Sequence, residues 1–241
     1  MSAHVDAVGS TNAELALFFS AKGAAANRHW VTAGEQTLGR ARRERNWVSP
    51  PGNLYASLCL DVTGVPDENL AIMPLAIGTA VQKCVAALTS GNTHLKWPND
   101  VLIDNAKCCG LLLERHVHAA SGASGLIVGI GLNVVSHPAD TPYPATHLKE
   151  HGYTGDLVTV FYNLAINADE VVRDLGSPGF VSKVRRQWIS AAKGIGGPIA
   201  VHLANETMSG IFDTLDDQGR LQLRLADGAI KTITAGDVFF N

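Results

Sequence analysis

Two short stretches concentrate residue types able to handle anions. "GRARRERNW", residues 39–47, places Arg40, Arg42, Arg43 and Arg45 within nine positions of a chain whose formal net charge is -3. Guanidinium groups are planar forks that grip phosphate and carboxylate oxygens in pairs. Such a run can be a solvated face, a nucleic-acid patch or a loop that closes over an anion, and by itself it does not separate the three. "KWPNDV", residues 96–101, sets Asn99 and Asp100 behind a proline that biases Trp97 away from helix. Asn99 offers an amide donor and acceptor, and Asp100 two acceptor oxygens. Alone, the segment reads as an ordinary turn, because Asn and Asp are common turn residues. "NAKCCG" follows and places Lys107 and Gly110 on the neighbouring strand. One hairpin then carries an amide, a carboxylate, an ammonium and a glycine.

Three weaker signals accompany these. Gln36 lies three residues before Gly39. Ser10, Thr11 and Asn12, in "GSTN", suit a polar, uncharged ligand, although helix capping is the commoner role of such residues. "GIGLNV", residues 129–134, is not a phosphate-binding fingerprint, but Asn133 at the end of so apolar a strand needs a hydrogen-bond partner, and a ligand is one candidate.

The elements that must position these residues are legible in outline. A helix is expected over 12–22, capped by Ser10 or Thr11. Strands are expected over "HWVTAGEQ", "NLYASLCLDV", 94–97, 101–104, "CCGLLLERHV" and "SGLIVGIGLNVV". "LAIMPLAIGTAVQKCVAAL" reads as one long buried helix despite Pro74. Residues 136–155 form a Pro- and Gly-rich loop. Two helices follow, the second starting at "SPGF" with Ser177 as cap and Pro178 in first position. After "KGIGGP" (193–198) come short, closely spaced strands with "DDQG" and "ADG" turns, a small all-β module expected to be a barrel-like sheet. There is no internal repeat and no low-complexity segment.

The composition, 46% hydrophobic and 17% charged over 241 residues, is that of a globular protein with room for a full core. A pI near 6.3 argues against wholesale nucleic-acid binding. No apolar run reaches membrane-span length, and no secretory signal is visible. The four cysteines sit in apolar surroundings, with no CxxC and no nearby histidine at zinc-ligand spacing. That reads as reduced core thiols in a cytoplasmic protein.

Taken in order, "STN", the glutamine and arginine-loop stretch running to "SPPGNLY", "KWPND", "K..G.L.E", "GIGLNV", "PATHL" and the β-rich tail with "DDQGRLQL" resemble the biotin protein ligase family over almost the whole chain. The arginine loop and "KWPND" are specific only together. The resemblance implies an α+β fold: a mixed β-sheet packed with helices, of the class II aminoacyl-tRNA synthetase-like ligase type, followed by a small C-terminal SH3-like β-barrel. The expected division is 1–194, binding biotin and adenylate, and 195–241, the small barrel. The chain starts at the catalytic unit, so it looks like the monofunctional type without a DNA-binding domain. The implied reaction makes biotinyl-5'-adenylate from biotin and ATP, with Mg2+, then transfers biotin to one lysine of a biotin carboxyl carrier protein of acetyl-CoA carboxylase or a related carboxylase. No nucleic acid or membrane partner is expected, and a homodimer is left open.

Carried over by position, Ser10, Thr11, Asn12 and Gln36 match contacts to biotin's ureido head. Gly39, Arg40 and Arg42 match the ligand-binding loop, and Lys107 matches the lysine that bridges biotin's carboxylate and the phosphate. Gly110 would let backbone approach the ligand. Arg43, Arg45, Trp47, Asn99 and Asn133 match the ATP and adenylate part, with Trp47 covering the adenine. Asp100 would help place magnesium or the acceptor lysine, so the catalytic set is Lys107, Arg42 and Asp100. No dedicated metal-site residues are assigned. Ala41 and Glu44 stand where the family commonly has glycine, and Glu44 is expected to face solvent or pair with an arginine. The arginine loop is expected to order on ligand binding, and the tail to matter more for ATP use and transfer than for biotin. The nearest alternative is a lipoate or octanoyl ligase or transferase of the same fold.

Overall fold

The computed structural model describes residues 2–240, without the side chain of Glu44. In chain order its elements are β1 (Ser2–Val8), α1 (Thr11–Lys22), β2 (His29–Gln36), β3 (Leu54–Asp61), α2 (Asp67–Ala71), α3 (Met73–Leu88), β4 (Thr93–Lys96), β5 (Asp100–Ile103), β6 (Ala106–Val117), β7 (Ser124–Leu132), α4 (Leu157–Asp174), α5 (Phe180–Ala191), β8 (Pro198–His202), β9 (Thr207–Leu215), β10 (Leu221–Arg224), β11 (Ile230–Ile233) and β12 (Asp237–Phe240). Short 3-10 turns occupy Gly23–Ala26, Arg42–Glu44 and Leu148–His151.

Seven strands form a mixed sheet in the order β1-β2-β3-β7-β6-β5-β4, parallel only between β1 and β2. The other five form an antiparallel sheet, β11-β10-β9-β8-β12. The α+β class is therefore as expected, with the β-rich tail forming its own sheet.

The two faces of the large sheet bury different things, as the period of two along a strand requires. On β3 and β7 the even-numbered residues Leu54, Ala56, Leu58, Leu60, Leu126, Val128, Ile130 and Leu132 join the main core with α3, α4 and α5. The odd-numbered Cys59 and Ile127 meet Leu15 and Phe19 of α1 in a smaller core. The main core continues without a break into the second sheet through Phe212, Leu215, Leu221 and Leu223. No helix among the described residues is long and apolar enough to cross a membrane.

Several local expectations need correction. The long helix after residue 70 is broken at Ile72, and Pro74 falls in the first turn of α3, where its missing N–H costs nothing. α5 starts after Gly179 (φ 77°), while Ser177 Oγ donates instead to the carbonyl of Asp174, so neither Ser177 nor Pro178 begins the helix. Trp97–Asn99 is a turn joining β4 to β5, with a cis Trp97–Pro98 bond, and does not continue the extended strand. Strands β1 and β12 were not anticipated.

Candidate active site

Lys107 reaches the site through a bulge. In β6, Gly110, Leu112 and Glu114 point to one face, and strict alternation would send Lys107 to the other. The pairing with β5 shifts between Val101 and Leu102, leaving Cys108 as the extra residue. Cys108 and Cys109 are consequently both buried in succession, and Lys107 turns onto the Gly110 face. Its Nζ lies 2.7 Å from Asp100 Oδ1, in ion-pair contact, although that buried oxygen has no aligned hydrogen bond. Tyr143 Oη stands 3.5 Å from the same Nζ. Burial opposes the ammonium most strongly, but Asp100 and Tyr143 together outweigh it and hold the Lys107 pKa above the ordinary lysine value.

Lys96, one turn away, is also buried, with its ammonium 4.9 Å from the Tyr143 ring centre and 5.4 Å from that of Phe239. Burial lowers its pKa; Asp100 works against that shift and Lys107 adds to it. Sequence reasoning quoted Lys96 inside "KWPND" but gave it no role. The visible signal was a lysine closing a strand whose preceding residue, Leu95, is core.

A polar cluster lies at the other end of the cleft. Ser10 occupies the N-cap position of α1, yet its side chain makes no capping bond, contrary to the capping expectation. The Thr11 hydroxyl (3.1 Å) and backbone N–H (2.9 Å) both donate to Gln36 Oε1. Gln36 Nε2 donates to Ser49 Oγ at 3.1 Å. Asn12 Nδ2 donates to Glu114 Oε2 (2.7 Å) and to the carbonyl of Leu112, which turns its Oδ1 toward Ser57. Ser57 Oγ lies 2.7 Å from Thr11 Oγ1 and 2.6 Å from Asn12 Oδ1. Two hydroxyl protons thus serve three short contacts, and the cluster can accept one more donor. Ser49, Ser57 and Glu114 complete it; all three stood within or beside the recognised motifs, yet none was singled out as a site residue.

Glycines on β7 let two of these groups lie against the sheet. A Cβ at Gly129 would fall 2.3 Å from Asn12 Oδ1, and one at Gly131 would fall 2.4 Å from Trp47 Nε1. Trp47 also covers Gly110. The indole therefore forms a wall over the sheet beside Lys107, whose Nζ is 5.3 Å from its ring centre. Its buried N–H has no partner.

The arginine segment folds over the cleft as a narrow hairpin. Trp47 N–H donates to the Gly39 carbonyl, and Arg40 pairs with Asn46. Gly39 is needed at the base because a Cβ there would fall 2.3 Å from the Trp47 carbonyl oxygen. Arg40 contacts Glu114 (2.9 Å) and Arg42 contacts Asn99 Oδ1 (2.8 Å). Arg43 and Arg45 each reach Asp237 of β12 at 3.1 Å. Burial lowers the Arg42 pKa, against Asp100 and Asp237, but a guanidinium stays charged at neutral pH. Asn99 in turn donates to the Leu111 carbonyl. The side chain of Glu44 lies outside the described residues.

The resulting cleft, ≈ 280 Å³, brings together Ser10, Thr11, Asn12, Gln36, Arg40, Arg42, Arg45, Trp47, Asn99, Asp100, Lys107, Gly110 and Asn133 from the sequence expectations. Gly39 and Arg43 are not on its wall. Asn133 is, but the partner its position demanded is protein: Nδ2 donates to the Thr146 carbonyl at 3.0 Å. Five cationic side chains (Arg40, Arg42, Arg45, Lys96, Lys107) face three carboxylates (Asp100, Asp140, Asp237) among the described lining residues, so the cleft favours an anion although the chain is acidic.

Comparison with known proteins agrees with this chemistry. Residues 8–133 match the Biotin/lipoate A/B protein ligase family, and residues 194–241 match the Biotin protein ligase C terminal domain. The chain is 34% identical to the biotin--[acetyl-CoA-carboxylase] ligase of Paracoccus denitrificans over 96% of its own length and 97% of the relative's. It is 32% identical to the ligase of that name from Mycobacterium tuberculosis, over 95% and 85%. The biotin protein ligase of Aquifex aeolicus, solved in complex with biotin and ATP, superposes with a TM-score of 0.81 at 28% identity, over 99% of this chain and 97% of that one.

Proposed function

Because the chain belongs to the Biotin/lipoate A/B protein ligase family, we propose how its cleft divides the work of a biotin protein ligase between named residues. The protein is an ATP-dependent biotin–[acetyl-CoA-carboxylase] ligase. In the first half-reaction a biotin carboxylate oxygen attacks the α-phosphorus of ATP and pyrophosphate leaves. In the second, a lysine ε-amine attacks the acyl carbon of biotinyl-5'-adenylate, AMP leaves, and the amine's surplus proton goes to solvent.

The observation that carries the assignment is the pairing of two unlike ends in one cleft: the Thr11–Asn12–Gln36–Ser57 cluster, short of one proton, and the Lys107–Asp100 pair beneath the arginines. Biotin's ureido group has N–H donors and a carbonyl acceptor, which that cluster can receive. Lipoate's dithiolane has neither and would leave buried polar groups unmatched. Lys107, kept protonated, lies between the two reacting anions, with Arg40 and Arg42 supporting the developing charge. Trp47 lies along the ligand and excludes water from the adenylate. Asp100 and the ATP phosphates fit Mg2+, which is commonly held by one or two carboxylates plus phosphate oxygens and which would neutralise phosphate charge.

Residues 1–194 carry most of the ligand cleft, including Tyr143 over Lys96, and 195–241 contribute Asp237 and the Phe239 and Phe240 rings beside Lys96. The acceptor is a biotin carboxyl carrier protein of a carboxylase. The free, buried cysteines support a reducing compartment, the cytoplasm. The test is pyrophosphate exchange and transfer of labelled biotin to a carrier domain with ATP and magnesium. Exchange supported by lipoate as well as by biotin would overturn the assignment of the polar cluster.

A further inference from the structure

Outside the cleft, three metal-ligating side chains converge where the 137–147 loop begins and ends. His137 Nδ1 lies 2.9 Å from His147 Nδ1, and Glu150 Oε2 stands 3.7 Å from the first and 3.6 Å from the second. A point equidistant from these three atoms is about 2.0 Å from each, which matches Zn–N and Zn–O bond lengths. Without an ion the two rings meet through a single N–H···N hydrogen bond. Two facing imidazole nitrogens can share only one proton, so one ring must present a lone pair to the other's N–H.

We propose that His137, His147 and Glu150 bind a divalent first-row transition ion of the zinc class, with water completing its coordination. Two imidazoles and one carboxylate suit zinc better than magnesium or calcium, which prefer oxygen ligands throughout. Thr146 Oγ1 donates to Glu150 Oε2 at 2.6 Å and holds the carboxylate in place. The ligand side chains are 24%, 15% and 46% exposed, open enough for an ion to enter.

Position gives the site its consequence. The loop between the two histidines lines the ligand cleft through Pro138, Asp140, Thr141, Pro142, Tyr143 and Ala145. Its far end is laced to Lys107: Lys107 N–H donates to the Pro144 carbonyl, and Thr146 N–H donates to the Lys107 carbonyl. Asn53 Oδ1 already accepts from the N–H groups of residues 134, 135 and 136, just before His137. An ion on His137 and His147 would close the remaining free span and hold Tyr143 against Lys107. In the sequence the cysteines show no zinc-ligand spacing, and Asp100 is the residue matched to magnesium. These histidines, ten residues apart, meet only through the fold.

The test uses the full chain without a histidine tag, stripped by chelator and titrated with Zn2+ against a chromophoric chelator. One equivalent should bind at micromolar or lower free zinc, and Co2+ should give a d–d absorption band. His137→Ala combined with His147→Ala should weaken binding at least 100-fold, Glu150→Gln at least tenfold, and the exposed His4→Ala not at all. Zinc should slow hydrogen exchange in 138–146 at least threefold in the wild type and leave the double variant unchanged. The Glu150→Gln variant keeps the test valid if the double variant folds poorly. Less than half an equivalent bound, or equal binding by Glu150→Gln and wild type, would overturn the proposal; unaltered exchange with zinc bound would overturn the clip.

Discussion

At the scale of single residues, one extra position in β6 decides the chemistry. Without the bulge at Cys108, Lys107 would point into the core and the cleft would lose the cation nearest Asp100. Removing the ammonium should remove stabilisation of two anions at once. Lys107→Ala is expected to reduce biotin-dependent pyrophosphate exchange by roughly 10²–10³-fold, as for loss of one strong electrostatic contact, with circular dichroism unchanged. Exchange within threefold of wild type would refute its role. Gly129 tests the other end. A methyl there would displace Asn12, so Gly129→Ala should raise the KM for biotin at least tenfold, about 1.4 kcal/mol, and leave the KM for ATP within twofold. An equal rise in both would mean that the ureido head does not sit at Asn12. The lysine, asparagine and arginines of this site were legible because charged and amide side chains stand out in apolar sequence. Lys96, Ser57 and Asp237 were not, because their roles come from what packs on them: three aromatic rings on the lysine, two α1 side chains on the serine, two arginines on the aspartate.

At the scale of elements, the arginine hairpin is tied to the second sheet at one carboxylate. Arg43 and Arg45 both end on Asp237, at the start of a strand that sequence reasoning did not anticipate. β12 is four residues long and β1 alternates weakly with mostly exposed positions, so neither offers a strong pattern. β3, β7 and α4 are longer and strongly patterned, and they were readable. Partly exposed pairs contribute about 0–1 kcal/mol each, so the tie biases the hairpin without fixing it. Asp237→Asn should therefore accelerate hydrogen exchange in 39–47 by about 3–10-fold at low salt, and by less at 0.5 M salt, where such pairs are screened. Biotin plus ATP should restore most of the protection, since bound anions would take over the arginines. Identical exchange in variant and wild type at low salt would show that the hairpin is held by its own backbone pairing alone.

At the scale of the whole molecule, the tail has a structural role that its sequence did not disclose. "DDQG" was legible as a turn, but not where the turn goes. Its Gly219 carbonyl accepts the buried Trp97 indole N–H at 2.9 Å, and the glycine seats on Leu75 of α3. Phe212 packs against Trp188 of α5 with ring centres 6.3 Å apart, and Arg185 donates to the Leu215 carbonyl. Cutting after Gly194 would uncover Trp188, leave the Trp97 donor unpaired and remove the apolar lid formed by Phe212, Leu215, Leu221 and Leu223. Losing one large buried aromatic costs about 3–5 kcal/mol, and a buried donor without a partner costs about 1–3 kcal/mol more. For a chain of this size 1 kcal/mol moves the unfolding midpoint by roughly 2–4 °C. The intact protein should therefore unfold in a single calorimetric transition, and the 1–194 fragment should melt at least 10 °C lower or fail to fold. A loss of biotin transfer on truncation would then report the lost core and say nothing about the tail's part in ATP use. Asp237→Asn keeps that core and removes the carboxylate that Arg43 and Arg45 reach, so it is the variant that separates the tail's contact with the arginine hairpin from the shared core. A soluble 1–194 fragment with an unchanged midpoint would show that the shared core does not couple the two sheets.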